Sequence, residues 1–116
     1  MPRSRRITDK TPAELGYRFP AEWEAQSGTW FSWPRPEGIS FPGFYDRIPA
    51  QFAAIFKAIT PRQTVHLNVL DEPQERDVRA LLQAEGVELG RVAFHHIPTN
   101  ESWCRDHGPA FVVRTR

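Results

Sequence analysis

Between residues 46 and 98 the apolar residues change period three times, and that alternation limits the fold more than any other feature of the chain. Ile48, Phe52, Ile55, Phe56 and Ile59 recur at the spacing of one helix face, predicting a helix over 46–60. Asp46 or a near neighbour is the expected cap. Thr60-Pro61 closes the helix, because a residue before proline is pushed out of the helical region. Val65, Leu67 and Val69 then alternate with His66 and Asn68, the two-residue period of a half-buried strand over 64–70. Residues 71–86 return to helical spacing. Their acidic start suits the positive end of a helix and Gly86 suits its stop. Val78, Leu81 and Leu82, with Glu85 at the boundary, are the expected inner positions. "RVAFHHIP", residues 91–98, reads as another strand. "TWFSWP", residues 29–34, is an earlier strand ended by Pro34, and "AFVVRT", residues 110–115, a later one. The order is β-α-β-α-β-loop-β. It predicts an α/β fold in which a mixed or parallel sheet, expected here as mixed, carries two packed helices.

Residues 1–28 hold no sustained period and are broken by Pro20 and Gly28. We expect a flexible N-terminus over 1–18 and one domain from 19 to 116. The formal net charge of +1 gives no reason to expect a polyanionic partner. Arg3, Arg5 and Arg6 form too short a basic arm for nucleic acid, and a frayed, solvated start is expected there. No apolar run reaches the roughly 18 residues that span a membrane, and no apolar segment follows the basic start as in a secretory signal. One cysteine forms no internal disulfide, so a cytoplasmic setting is the expectation. A lone cysteine also excludes a Cys-based zinc site. The four histidines are not spaced as ligand pairs, and His95 and His96, adjacent on a strand, point to opposite faces. We expect no cofactor and no metal.

The densest chemistry lies in "ESWCRDHGP", residues 101–109. If the segment is extended, Cys104 and His107 point apart, and Cys104 reads as a packing or bystander thiol rather than a nucleophile. Asp106 supports two readings. With Trp103 it suits a planar cation, the ring stacking on it and the carboxylate accepting its N–H groups in a fork. Alternatively it caps the turn before Gly108-Pro109 and pairs with Arg105. His107 reads as an exposed or backbone-bonded loop residue, and Arg105 as a brace for the loop.

"ESWCRDHGPAFVV" resembles the Trp-x-Arg-Asp-x-Gly-Pro motif of agmatine deiminases and their bacterial, Porphyromonas-type peptidyl-arginine deiminase relatives. "FPAEWEAQSGTWFSWP" is similar to that family's opening. The resemblance covers the chain from Phe19 onward. It implies a pentein fold, five α/β modules in a propeller around a central site. It also implies hydrolysis of a guanidinium to a ureido group, as in conversion of agmatine to N-carbamoylputrescine and ammonia on the way to putrescine. By the same resemblance Asp106 binds the guanidinium, Trp103 lines its pocket, Arg105, Gly108 and Pro109 frame the loop, and Cys104 occupies the variable position. The family's nucleophilic cysteine, in a Gly-rich segment, and its His-x-Asp motif have no match here; His66, His95, His96 and His107 fall elsewhere. The resemblance therefore implies an N-terminal portion without catalytic residues, whose partners are a small guanidinium compound and the remaining modules. It would expose a sheet edge and apolar surface for those modules to cover. The alternative is a non-catalytic α/β module that binds a guanidinium or polyamine cation, or a protein partner.

Overall fold

The computed structural model describes residues 5–115, so Arg3 and most of the expected frayed start lie outside the described residues. Two compact units divide the chain: Gln26–Gly108, and the flanking stretches up to Ala25 and from Pro109.

The larger unit is built on strands β1 (Gly28–Ser32), β2 (Thr64–Val69) and β3 (Val92–His96), with helices α1 (Ile48–Ile59) and α2 (Glu72–Ala84) as the crossovers. The strands lie side by side in chain order, and both pairs are parallel. This corrects the expected mixed sheet to a parallel one among the described residues. A helix inserted between successive strands returns the chain to its starting end, which makes parallel pairing the natural outcome.

Alternation along the strands sorts the sheet into two faces. Phe31, Leu67 and Phe94 share one register row, and Val65 pairs with Val92. These side chains and Val69 meet Ala53 and Phe56 of α1 and Val78 and Leu82 of α2 in a single core. Both helices therefore cover the same face. Phe31, Phe52, Phe56 and Trp33 interlock there edge-on, the arrangement that ring quadrupoles prefer.

The helix ends are set by local chemistry. Asp71 accepts a hydrogen bond from the Gln74 backbone N–H at 2.9 Å, satisfying a donor that the first turn of α2 leaves open. Gly86, at φ 83°, ends α2 with the paired bonds Val87 N–H to Leu82 O and Gly86 N–H to Gln83 O, and the buried Val87 seals the turn. At α1, Asp46 is not the cap. It sits in a short 3-10 turn, Tyr45–Arg47, that leads straight into the helix. Ile55 is 43% exposed, and Ala53 takes the inner position between Phe52 and Phe56. Glu85 is exposed rather than at the boundary of the core.

The second face of the sheet is polar and aromatic. Trp30 lies flat against both His66 and His95, at centroid distances of 4.7 and 4.6 Å. The two imidazoles are hydrogen-bonded side by side, His66 Nδ1 to His95 Nε2 at 3.1 Å. Burial first, and then the His66 charge, hold the His95 pKa below its ordinary value. His96 points to the other face and meets Glu75 of α2 at 3.0 Å, so adjacent strand residues diverge as expected. Gly28 allows this close packing, since a Cβ there would lie 2.8 Å from the Thr64 carbonyl and 2.9 Å from the His66 ring.

In the smaller unit, residues 110–115 do not form the expected fourth strand. Val113 makes one isolated antiparallel bridge to Arg18. Phe111, Val112 and Val113 favour β structure by type, but that preference is expressed only where a partner strand packs beside them. Arg114 stacks on Tyr17, its guanidinium carbon 4.7 Å from the ring centroid, and donates to the Leu15 carbonyl at 3.2 Å.

Candidate active-site loop

Parallel strands bring the loops that follow β1 and β3 out at the same end of the sheet. Open α/β sheets bind ligands outside these carboxyl ends. Residues 97–107 do not stay extended there. Cys104–His107 form a single helical turn, α3. The Asp106 N–H bonds to the Trp103 carbonyl at 3.0 Å, and the Gly108 N–H closes the turn on the Cys104 carbonyl at 2.6 Å. A Cβ on Gly108 would lie 2.4 Å from that carbonyl oxygen, so only glycine permits this closure. Pro109 follows, with no N–H to extend the turn.

The turn rearranges the expected geometry. Trp103 is the residue that precedes α3, and its carbonyl accepts the Asp106 N–H, which ties the two residues through the backbone. Trp103 is 52% exposed. Asp106 is exposed, and its carboxylate has no hydrogen-bond or ion-pair partner among the described residues. It does not pair with Arg105, which is also exposed. Cys104 and His107, at the two ends of α3, each engage a separate partner. The Cys104 Sγ turns inward to within 3.3 Å of Ser32 Oγ, at the end of β1. The Ser32 hydroxyl also accepts from Asn68 Nδ2 at 3.1 Å. His107 Nε2 bonds the Glu101 carbonyl at 3.0 Å, as expected for a backbone-bonded loop histidine.

Two residues not singled out in the sequence complete the loop. The Ser40 hydroxyl is hydrogen-bonded to Glu101 Oε2, while Glu101 Oε1 accepts the Ile39 N–H at 3.0 Å. The Trp103 indole N–H donates to Ser40 Oγ at 2.8 Å, and the Phe41 ring lies 5.9 Å from the Trp103 ring. Hydrogen bonds from the Ser40 side chain, then from the Ile39 backbone, lower the Glu101 pKa. The loop after β1 is thereby fastened to the loop after β3. No group of three or more His, Cys, Asp or Glu among the described residues is placed to hold a metal ion.

Residues 18–116 match the Porphyromonas-type peptidyl-arginine deiminase family. The chain belongs to that family. An agmatine deiminase from Ectopseudomonas mendocina (strain ymp) is 36% identical over 109 residues, covering 91% of this chain and 27% of the relative. One from Pseudomonas aeruginosa (strain LESB58) is 37% identical over 106 residues, covering 89% of this chain and 26% of the relative. The solved structure of C. jejuni agmatine deiminase shares the fold, with a TM-score of 0.58 at 18% identity over 77% of this chain and 25% of that one. This family member thus spans about a quarter of the length of the curated relatives it matches. No helix among its described residues is long and apolar enough to cross a membrane.

Proposed function

We propose that this deiminase-family chain supplies the guanidinium-binding loop of an agmatine deiminase-like hydrolase, which converts agmatine and water to N-carbamoylputrescine and ammonia. The observation that carries the reading is the Asp106 carboxylate, without a partner among the described residues, on the turn that the exposed Trp103 leads into. A carboxylate accepts two parallel N–H bonds from a guanidinium, and an indole face attracts the same delocalised cation. Held this way, the cation is oriented for attack on its central carbon. Arg105, Gly108 and Pro109 frame the loop.

In this reading, residues 19–116 are the N-terminal part of a pentein-type five-bladed α/β propeller. The nucleophilic cysteine and the proton-transferring histidine have no counterpart among these 116 residues. In the same reading Cys104, 3.3 Å from Ser32 Oγ, occupies the variable position and is not the nucleophile. The 116 residues therefore bind a guanidinium without turning it over.

Calorimetric titration with agmatine tests this. Binding should weaken at least about tenfold in Asp106→Asn, as expected for loss of a charge-assisted fork, and in Trp103→Ala, while Cys104→Ser keeps its affinity. Putrescine, which lacks the guanidinium, should bind more weakly than agmatine. Affinity indifferent to Asp106→Asn sinks the assignment. Ammonia release by the 116 residues alone would show that the chemistry needs nothing beyond them, contrary to the proposal.

A further inference from the structure

We infer that Ser40 and Glu101 are positioning residues for Trp103, locking its indole in one rotation, with part of the ring uncovered, at the head of the turn that carries Asp106. The inference rests on the guanidinium reading above and deepens it.

The direction of each hydrogen bond fixes the chain. An indole nitrogen only donates, so Ser40 Oγ must accept from Trp103. The serine proton is then left for Glu101 Oε2, and the other carboxylate oxygen takes the Ile39 N–H. An ionised carboxylate at the end of such a relay strengthens each bond before it. The contact joins residues 61 positions apart, so it belongs to the tertiary fold and not to a local turn. Backbone packing supports it: a Cβ on Gly38 would lie 3.2 Å from the Arg35 carbonyl and 3.4 Å from Glu101 Oε1.

The consequence is one of specificity. With its N–H committed to Ser40 and Phe41 packed near it, Trp103 has no donor left for a ligand and offers only ring surface. A flat, delocalised cation gains most from such a surface, and a ligand oxygen gains nothing. Arg35 is engaged with Glu37 and with Asn100, and His107 bonds the Glu101 carbonyl.

The test uses the indole N–H resonance of Trp103, assigned by its disappearance in Trp103→Phe. In Ser40→Ala that resonance should shift and its exchange with water should accelerate. Ser40→Thr, which keeps a hydroxyl, should restore both. Agmatine affinity should fall about tenfold in Ser40→Ala and return in Ser40→Thr. Unchanged indole exchange in Ser40→Ala overturns the relay. Changed exchange with unchanged agmatine affinity overturns the positioning role. If the wild-type protein takes up no agmatine, the guanidinium reading fails, and with it the role assigned to the relay, while the indole resonance still decides whether the relay itself exists.

Discussion

Glu101 holds its proton less tightly than an isolated glutamate because the Ser40 hydroxyl and then the Ile39 N–H favour its charged form. A lowered folded-state pKa has a definite sign in stability. The contribution is present above the unfolded glutamate value and is lost as pH falls through the folded one. Glu101→Gln should therefore melt below the wild type at neutral pH, and the gap should close toward about pH 2, where both side chains are uncharged. Paired thermal melts across that range check this, because every other carboxylate titrates in both proteins. A gap that stays constant with pH would contradict the relay's ionic end. At this scale the sequence was informative in an uneven way. Trp103 and Asp106 stood out because they sit in one short run of reactive residue types. Ser40 and Glu101 did not, because their link is made across the fold and leaves no local period to read. The histidine pair under Trp30 was hidden for the same reason: His66 and His95 come from different strands, and only the register brings them together.

Helical turn α3 depends on one atom being absent. With Gly108 replaced by alanine, the new Cβ would meet the Cys104 carbonyl well inside van der Waals distance, and the closing hydrogen bond would have to open. Gly108→Ala should leave the sheet and the two long helices intact while releasing Trp103 and Asp106. The expected signature is unchanged far-ultraviolet dichroism with agmatine affinity reduced to the level of Asp106→Asn. Loss of the whole fold instead would mean that the turn is part of the core. The long elements were legible from their periods, because a packed face repeats over several turns or residues. The failures have physical causes. A four-residue turn has too few positions to show a period, so residues 101–109 read only as a loop. Residues 110–115 have strand-like composition but pair only at Val113. Ile55 fits the α1 repeat but falls at the edge of the buried stripe, beyond Ala53 and Phe56.

For the larger unit as a whole, stability comes from one layer of side chains between the sheet and its two helices. Leu67 is fully buried at the centre of the middle strand, between Phe31 and Phe94. Truncation to alanine should cost about 2–5 kcal/mol, the range for a leucine in a packed core. Urea unfolding of Leu67→Ala measures it, and a loss well under 1 kcal/mol would show that the layer is not the main source of stability. The α/β class was readable from the alternation of periods. That every strand of the larger unit runs the same way was not, since the alternation of strands and helices admits a mixed sheet as well as a parallel one. The all-parallel order also governs how the chain must assemble. No two neighbouring strands are joined by a hairpin. Every rung of the ladder waits for an entire helix to be threaded across the sheet, so the early encounters are slow ones between distant segments. The helices can form within microseconds, but the sheet has no local seed, and every strand pair must close a loop as long as a whole crossover.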